Sequence, residues 1–340
     1  MQQDSLTVSA KATSTASASS VRWSGIALFV ALACAISWAT WLGLGALGVP
    51  VPIRAPLGMF GPAIAATLVR GPLRHEGFAD AGLRLVGRDR PGGGWMYLAA
   101  YLVIPLLIAA GIGLSLLIGY QHWTDPVATL QQALAAQLAA AHQPLPLGDS
   151  LHQIALVGLL SQLGLAVTLG IPINMIFTFG EEFGWRGYLL PRLAPLGGGW
   201  AALLTGIIWG LWHAPFIITT SYNFLGHPWL GALAMVLLTT ALSFVYAWLR
   251  FRSGSVWPST LAHAAANAQA GIALLVLAPP ADSLLRPPYG LIEVAVIAAF
   301  ALVLLFTGRL NPRTAPSTVN TERGAPDRPE NGVEHVPGPF

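Results

Sequence analysis

Two adjacent carboxylates lie inside an apolar stretch of the chain. Residues 177–190 read FTFGEEFGWRGYLL and include Glu181, Glu182 and Arg186. On a helix, Glu182 and Arg186 are about one turn apart, so they share a face and can neutralise each other. Glu181 is rotated by about 100° from Glu182 on the same helix. One carboxylate can therefore pair with the arginine while the other points into a cavity.

Two further apolar segments contain imidazole and amide groups. The sequence GIIWGLWHAPF at residues 206–216 includes His213, and SVWPSTLAHAAANA at residues 255–268 includes His263 and Asn267. His263 and Asn267 are four residues apart, so they lie on one face of a helix. The alanines around them allow a neighbouring backbone or a substrate to approach closely.

These residue types suit hydrolysis of an acyl bond, most simply a peptide bond. A carboxylate and a histidine, here Glu181 and His213, can polarise a water molecule and accept its proton. His263 and Asn267 can donate hydrogen bonds to a developing oxyanion. In the alternative scheme Glu181, His213 and His263 bind Zn²⁺, with water in the fourth position. The sequence contains neither the HExxH helix of common metalloproteases nor the GxSxG elbow of serine hydrolases.

Each of these residues also has a purely structural interpretation. A Glu–Arg pair, a histidine or an asparagine in a membrane helix can serve only to hold helices together. However, each charged group near the bilayer centre costs about 2.5–3.5 kcal/mol on insertion, and packing does not require Glu181 beside an existing ion pair. We therefore favour a functional site. We interpret the nearby tryptophans, Trp185, Trp209 and Trp212, as packing residues.

Composition predicts an all-α, polytopic membrane helix bundle. The chain has 340 residues, of which 54% are hydrophobic and 9% charged, whereas soluble domains carry about 25% charged residues. Several apolar runs reach the roughly 20 residues that span a bilayer. The net charge of +3 does not indicate nucleic-acid binding, so we expect no nucleic acid as a partner. The single cysteine, Cys34, excludes an internal disulfide and a cysteine metal cluster.

Hydropathy predicts about eight transmembrane helices in one bundle at residues 23–310. We expect residues 1–22 and 311–340 to be disordered cytoplasmic tails, because they are polar and rich in small residues or proline. The segment 153–190 is expected to form one long span that kinks at Pro172. The eight spans lie near residues 23–47, 55–70, 95–119, 153–190, 199–219, 229–250, 255–278 and 289–307.

The basic residues predict which way the bundle faces, since Lys and Arg gather in cytoplasmic loops. With eight spans and a cytoplasmic N-terminus, the loop arginines on the non-cytoplasmic side of the membrane are Arg54 and Arg286. Both termini are then cytoplasmic. The residues expected on the cytoplasmic side are Lys11, Arg22, Arg70, Arg74, Arg84, Arg88, Arg90, Arg192, Arg250, Arg252, Arg309, Arg313, Arg323 and Arg328.

The three polar segments together resemble the CPBP family of intramembrane proteases, which includes CAAX prenyl proteases and bacteriocin-processing enzymes. The family signatures are EExxxR, (F/W)xxxH and HxxxN. They correspond here to residues 181–186, 209–213 and 263–267, in the same order and on separate predicted spans. The resemblance covers about residues 55–270, so the first span and both tails lie outside it.

The resemblance implies an intramembrane endopeptidase with a cavity that opens toward the cytosol. By position, Glu181 would be the general base and His213 would help to activate water. His263 and Asn267 would stabilise the oxyanion or, in the alternative scheme, take part in binding a metal.

The resemblance also implies supporting residues and partners. Glu182 and Arg186 would hold the first glutamate in place. We favour a glutamate mechanism without a cofactor over a zinc-dependent one, because asparagine is a poor zinc ligand and a good oxyanion donor. The expected partners are membrane lipid and a membrane-associated peptide or protein substrate, in a bacterial inner membrane. Prenylated proteins and bacteriocin-related peptides both stay open as substrates.

Two functions without proteolysis also stay open. A proton-coupled transporter could use the same groups as a relay, but it would need polar groups toward both membrane faces. Glu293, near the outer end of the last span, is the candidate there. A non-catalytic immunity or binding protein of the same fold would not depend on Glu181.

Overall fold

The protein is an all-helical bundle, described here by a computed structural model for residues 21–86, 93–144, 149–278 and 282–311. Within these ranges the regular structure is helical, which confirms the predicted all-α class. The α-helices are α1 (Trp23–Ala46), α2 (Val51–Gly58), α3 (Gly61–Leu68), α4 (Trp95–Leu117), α5 (Pro126–Ala140), α6 (Ser150–Val167), α7 (Gly170–Gly184), α8 (Leu190–Leu193), α9 (Gly198–Thr220), α10 (Pro228–Ser253), α11 (Trp257–Val276) and α12 (Leu291–Phe306).

The predicted tails fall almost entirely outside the described residues. Residues 1–20 and 312–340 are not among those that the structure describes, and neither are residues 87–92 with Arg88 and Arg90. The predicted disorder of the two tails and the cytoplasmic position of these arginines therefore stay predictions.

Six helical segments of the described chain are long and apolar enough to cross a membrane. They are α1, the segment Val51–Leu73 that contains α2 and α3, and α4, α6, α9 and α10. α12 is apolar but shorter. α11 is 20 residues long and carries His263, Asn267 and Gln269, and it is not among these six. A multi-pass membrane bundle is therefore confirmed, while the count of eight spans stays a prediction.

The expectation of one long span over residues 153–190 was wrong. α6 ends at Val167, and Thr168 leaves the helical region with φ −121° and ψ −101° before α7 begins at Gly170. The break therefore precedes Pro172 instead of lying at it. Pro172 falls in the first turn of α7, where the missing N–H group costs no helical hydrogen bond.

Eight helices form a closed ring around the centre of the bundle. Going round the ring, each helix packs against the next in the order α1, α3, α7, α11, α4, α12, α10 and α9, and α9 packs back against α1. The hairpin of α5 and α6 lies outside the ring, where α6 packs against α7 and α11. The helices that carry the predicted site residues, α7, α9 and α11, thus all belong to the ring.

One end of the ring is closed by a cluster of ion pairs. Arg70 is fully buried and donates hydrogen bonds to Asp80 at 2.6 Å and to the carbonyl oxygen of Gly187 at 2.6 Å. Arg192 pairs with Glu76 and, at 3.4 Å, with Asp80. We call Arg70, Glu76, Asp80 and Arg192 the arginine clamp. It ties the loop after α3 to the π-helical turn Trp185–Leu189 that follows α7.

The arginine clamp also sets the charge state of Asp80. Burial alone would raise the pKa of this carboxyl, but the hydrogen bond and charge of Arg70, with the charge of Arg192, lower the pKa below its ordinary value. A carboxylate with a lowered pKa in the folded state contributes stability above its unfolded pKa, and this contribution is lost as the pH falls through the folded pKa. The clamp is therefore fully formed at neutral pH.

α9 and α10 approach closely because α9 presents two glycines to its neighbour. A Cβ atom placed on Gly206 would lie 2.5 Å from the Cα atom of Thr240, and one placed on Gly210 would lie 2.5 Å from the Cα atom of Val236. The two glycines are four residues apart, which is the spacing that lets membrane helices pack backbone to backbone. This contact fixes α9, and with it His213, against α10.

We expect Gly206→Ala to lower the thermal unfolding temperature of the purified protein in detergent. The added methyl group meets backbone atoms that cannot move aside, and such overpacking costs roughly 1–3 kcal/mol. Gly43→Ala in α1 is the matched control, because its Cβ would have no heavy atom within 4 Å. Alanine there should be neutral or stabilising, by up to about 1 kcal/mol. Equal unfolding temperatures for the two variants would contradict the close contact of α9 and α10.

Candidate active site

A cavity of about 430 Å³ lies inside the ring of helices. Ligand pockets in proteins usually measure about 300–1,000 Å³. Glu181, His213, His263 and Asn267 all line this cavity, although they come from α7, α9 and α11. The structure therefore brings together the four residues that the sequence analysis selected for catalysis.

Trp209 connects Glu181 to His213. The indole Nε1–H of Trp209 donates a hydrogen bond of 2.5 Å to Oε2 of Glu181, whose side chain is buried. The carbonyl oxygen of Trp209 lies 3.0 Å from Nδ1 of His213, one helical turn further along α9. A carbonyl oxygen only accepts hydrogen bonds, so Nδ1 of His213 carries a proton. Its Nε2 atom is therefore left with a lone pair that can accept a hydrogen bond or a proton.

Glu182 holds the second histidine. Its Oε1 atom accepts a hydrogen bond of 2.8 Å from Arg186 and lies 3.0 Å from Nδ1 of His263. The side chains of Glu182 and Arg186 are fully buried, and that of His263 is nearly so. Because a carboxylate accepts hydrogen bonds, Nδ1 of His263 is the protonated nitrogen, and its Nε2 atom is the one left for a substrate.

Two aromatic rings enclose the charged groups behind the cavity. The guanidinium carbon of Arg186 lies 4.6 Å from the ring centre of Trp209 and 5.0 Å from that of Tyr246. His263 stands edge-on to Trp209, with ring centres 5.2 Å apart, and stacks on Tyr246 at 5.7 Å. These cation–π and ring contacts help to keep Arg186 and His263 in fixed positions beside Glu182.

The contacts correct two expectations about supporting residues. The Glu182–Arg186 pair supports His263, whereas Glu181 is held by the indole of Trp209. Trp209 is therefore more than a packing residue. Trp185 and Trp212 are fully buried in the hydrophobic core, as expected. The spacing offered a signal for Trp209, because it lies one helical turn before His213 and forms part of the second signature.

Sequence reasoning did not select Tyr246. This tyrosine is buried, lines the cavity and stacks on His263, and its hydroxyl group has no hydrogen-bond partner among the described residues. Its surroundings on α10 are apolar, so a single tyrosine there could not be distinguished from ordinary packing by sequence alone. Only the approach of α10 to α11 reveals its position.

Asn267 differs from the other three predicted site residues in its exposure. Glu181 and His263 are buried and His213 is partly buried, whereas Asn267 is exposed on the cavity wall. Asn267 lies one turn beyond His263 on the same face of α11, as its spacing predicted. Its amide group is therefore open to a molecule that enters the cavity.

The residues do not assemble into a metal site. Among the residues that the structure describes, no three His, Cys, Asp or Glu side chains lie together in an arrangement that could hold a metal ion. Glu181, His213 and His263 therefore line one cavity without forming the zinc ligand set of the alternative scheme. All three instead make hydrogen bonds that fix their side chains, to the indole of Trp209, the carbonyl oxygen of Trp209 and the carboxylate of Glu182, respectively.

The cavity extends toward the end of the ring that lies away from the arginine clamp. It reaches Pro52 near the start of α2, Tyr222 after α9 and Tyr289 before α12, and no residue of the clamp lines it. The clamp end is filled by the buried Trp185 and Tyr188. The sequence analysis expected both cytoplasmic arginines and a cavity that faces the cytosol. Because the clamp arginines and the extended part of the cavity lie at opposite ends of the ring, the two expectations cannot both hold.

The structure thus has an apolar helical bundle in which a carboxylate, two histidines and an amide line an internal cavity. Residues 161–269 match the family model described as Rce1-like, Type II CAAX prenyl endopeptidase. The matched segment contains all three signatures and confirms the resemblance to the CPBP family. A comparison with curated proteins found no match for this chain.

We expect Arg186→Met to destabilise the protein more than the double variant Glu182→Gln/Arg186→Met. The single change leaves the buried carboxylate of Glu182 without its guanidinium, and breaking a buried pair in this way costs about 3–5 kcal/mol. The double change also removes the negative charge, so part of the loss is recovered. Thermal unfolding in detergent measures both variants.

The control for this prediction is Arg309→Met, which removes an exposed arginine just after α12. A surface change of this kind should alter stability by less than about 0.5 kcal/mol. If Arg186→Met were as stable as this control, the buried pair would not contribute to the fold as the structure indicates.

Proposed function

We propose that this protein is an intramembrane endopeptidase that hydrolyses a peptide bond in a membrane-associated peptide or protein without a metal ion. The single observation that carries the proposal is that Glu181, His213, His263 and Asn267 line one cavity inside the bundle. The match of residues 161–269 to a peptidase family supports the same reaction class.

Glu181 acts as the general base on a water molecule in the cavity. Its carboxylate accepts a proton from the water, and the water oxygen attacks the carbonyl carbon of the scissile bond. His213 presents Nε2 to the same water, because its Nδ1 proton is used in the hydrogen bond to the carbonyl oxygen of Trp209. The proton then passes from Glu181 to the leaving nitrogen as the tetrahedral intermediate collapses.

His263 and Asn267 stabilise the oxyanion that forms on the carbonyl oxygen. Nδ1 of His263 stays on the carboxylate of Glu182, and an imidazolium form of this ring would donate from Nε2 to the oxyanion. The amide of Asn267 supplies a second donor from the same face of α11.

Substrate reaches the cavity from the side of the membrane opposite the arginine clamp. The loop arginines lie mostly at the clamp end, and an excess of arginine marks the cytoplasmic side. The cavity extends toward the other end, at Tyr222 and Tyr289. In this orientation the site serves substrates that approach from the non-cytoplasmic side, with the bilayer supplying lipid around the ring.

Glu181→Gln should reduce cleavage of a membrane-associated test peptide by at least 100-fold, because a general base contributes about 10²–10⁴-fold. Trp209→Phe keeps the aromatic ring but removes the donor to Glu181, so it should lower kcat by a smaller factor of about 10-fold. Cleavage by purified protein in liposomes measures both effects. Unchanged thermal unfolding temperatures show that the variants still fold.

Asp125→Asn is the matched control, because it removes a carboxylate at the exposed start of α5 and replaces it with another good helix cap. It should cleave at the wild-type rate. Full activity of Glu181→Gln would refute the assignment of the base. Loss of wild-type activity with a chelator, restored by zinc, would refute the metal-independent mechanism.

A further inference from the structure

A second carboxylate lines the same cavity and is not used by the mechanism above. Glu293 lies near the start of α12 and is 1% exposed. Both of its carboxylate oxygens are buried and have no hydrogen-bond partner among the described residues. Burying such a group without a partner is costly. A bound molecule that donates a hydrogen bond to Glu293 would lower this cost.

The surroundings of Glu293 are shaped to hold its carboxylate at the cavity wall. Gly111 of α4 faces it, and a Cβ atom at this position would collide with Oε2 of Glu293. The next cavity-lining residue along α12, Ile297, and the cavity-lining Leu107 and Ile108 of α4 are apolar. The carboxyl group of Glu293 therefore lies beside an apolar part of the cavity wall that α4 and α12 form.

Glu181 and Glu293 line the cavity, and no lysine or arginine is among its lining residues. A cation that enters this cavity gains from both carboxylates and from the low dielectric of the bundle interior. A hydrogen bond between an ammonium or guanidinium group and a carboxylate is also roughly twice as strong as a neutral one.

We propose that Glu293 is a specificity-determining residue that binds the side chain of a lysine or arginine in an otherwise apolar substrate segment. This inference rests on the proposed peptidase function, since it places the basic residue in the same cavity as the scissile bond. Glu293 contacts the substrate and takes no part in proton transfer. The apolar wall between the two carboxylates accepts the apolar residues of the segment.

The test uses apolar decapeptides and protein in liposomes. Each peptide carries a single lysine at a different position, and its reference peptide carries methionine at that position. Binding is measured on Glu181→Gln, which holds the peptide without cleaving it, and on Glu181→Gln/Glu293→Gln. At one position the lysine peptide should bind Glu181→Gln at least 10-fold more tightly than its methionine reference. In the double variant this preference should fall to less than 2-fold.

Two further variants keep the result interpretable. Asp125→Asn in the Glu181→Gln background removes a carboxylate outside the cavity and should leave the lysine preference unchanged. Gly111→Ala in the same background keeps the charge of Glu293 but displaces its carboxylate, so it should reduce the preference as Glu293→Gln does. It also serves as the second test if Glu293→Gln does not fold.

The outcomes separate this inference from the proposed function. A lysine preference that survives Glu293→Gln, or no lysine preference at any position, overturns the role of Glu293. If peptides with glutamine at the same position bound more tightly than the methionine peptides by the same factor as the lysine peptides, the site would recognise a neutral polar group. This result would also overturn the role of Glu293. If the preference depends on Glu293 while protein with Glu181 intact cleaves none of the peptides, the subsite stands and the peptidase function falls.

Discussion

The candidate site depends on the pairing of buried Glu182 with Arg186 and His263. Inside the ring, Glu182 accepts from Arg186 and contacts His263 with one and the same oxygen atom, so a single carboxylate joins α7 to α11. A lone charge at this depth would cost several kcal/mol. Because Arg186 and His263 are taken up by Glu182, the adjacent Glu181 is left to face the cavity, where the indole of Trp209 offsets part of the cost of burying it.

The same constraint explains why Trp209 lies at the centre of the site. Its indole donor satisfies Glu181, and its backbone oxygen orients His213. One residue of α9 thereby sets the geometry of both groups proposed to activate water. The close contact of α9 with α10 at Gly206 and Gly210 prevents this arrangement from loosening.

Much of the fold and the site could be predicted from the sequence. Local spacing gave the shared faces of Glu182 with Arg186 and of His263 with Asn267, since 3.6 residues per turn fixes them. Spacing within one helix could not show which partner on another helix each side chain meets. The donor to Glu181, the stacking of Tyr246 on His263, and the end of the ring toward which the cavity extends all depend on how α7, α9, α10 and α11 pack. The break before α7 was also missed. Gly170 and Pro172 marked a possible break, but two full crossings within residues 153–190 would have placed most of the later arginines on the non-cytoplasmic side, so one span was expected.

The most direct test of a shared, water-filled cavity is the reactivity of Asn267→Cys toward a small membrane-impermeant thiol reagent in intact cells. Cys34→Ser provides the background without cysteine, and Leu106→Cys, exposed on the outer face of α4, is the lipid-facing control. We expect labelling of Asn267→Cys from outside the cell, slowed by a bound apolar peptide, and none of Leu106→Cys. No labelling of Asn267→Cys from either side would contradict the cavity, and labelling only in inverted vesicles would reverse the proposed orientation.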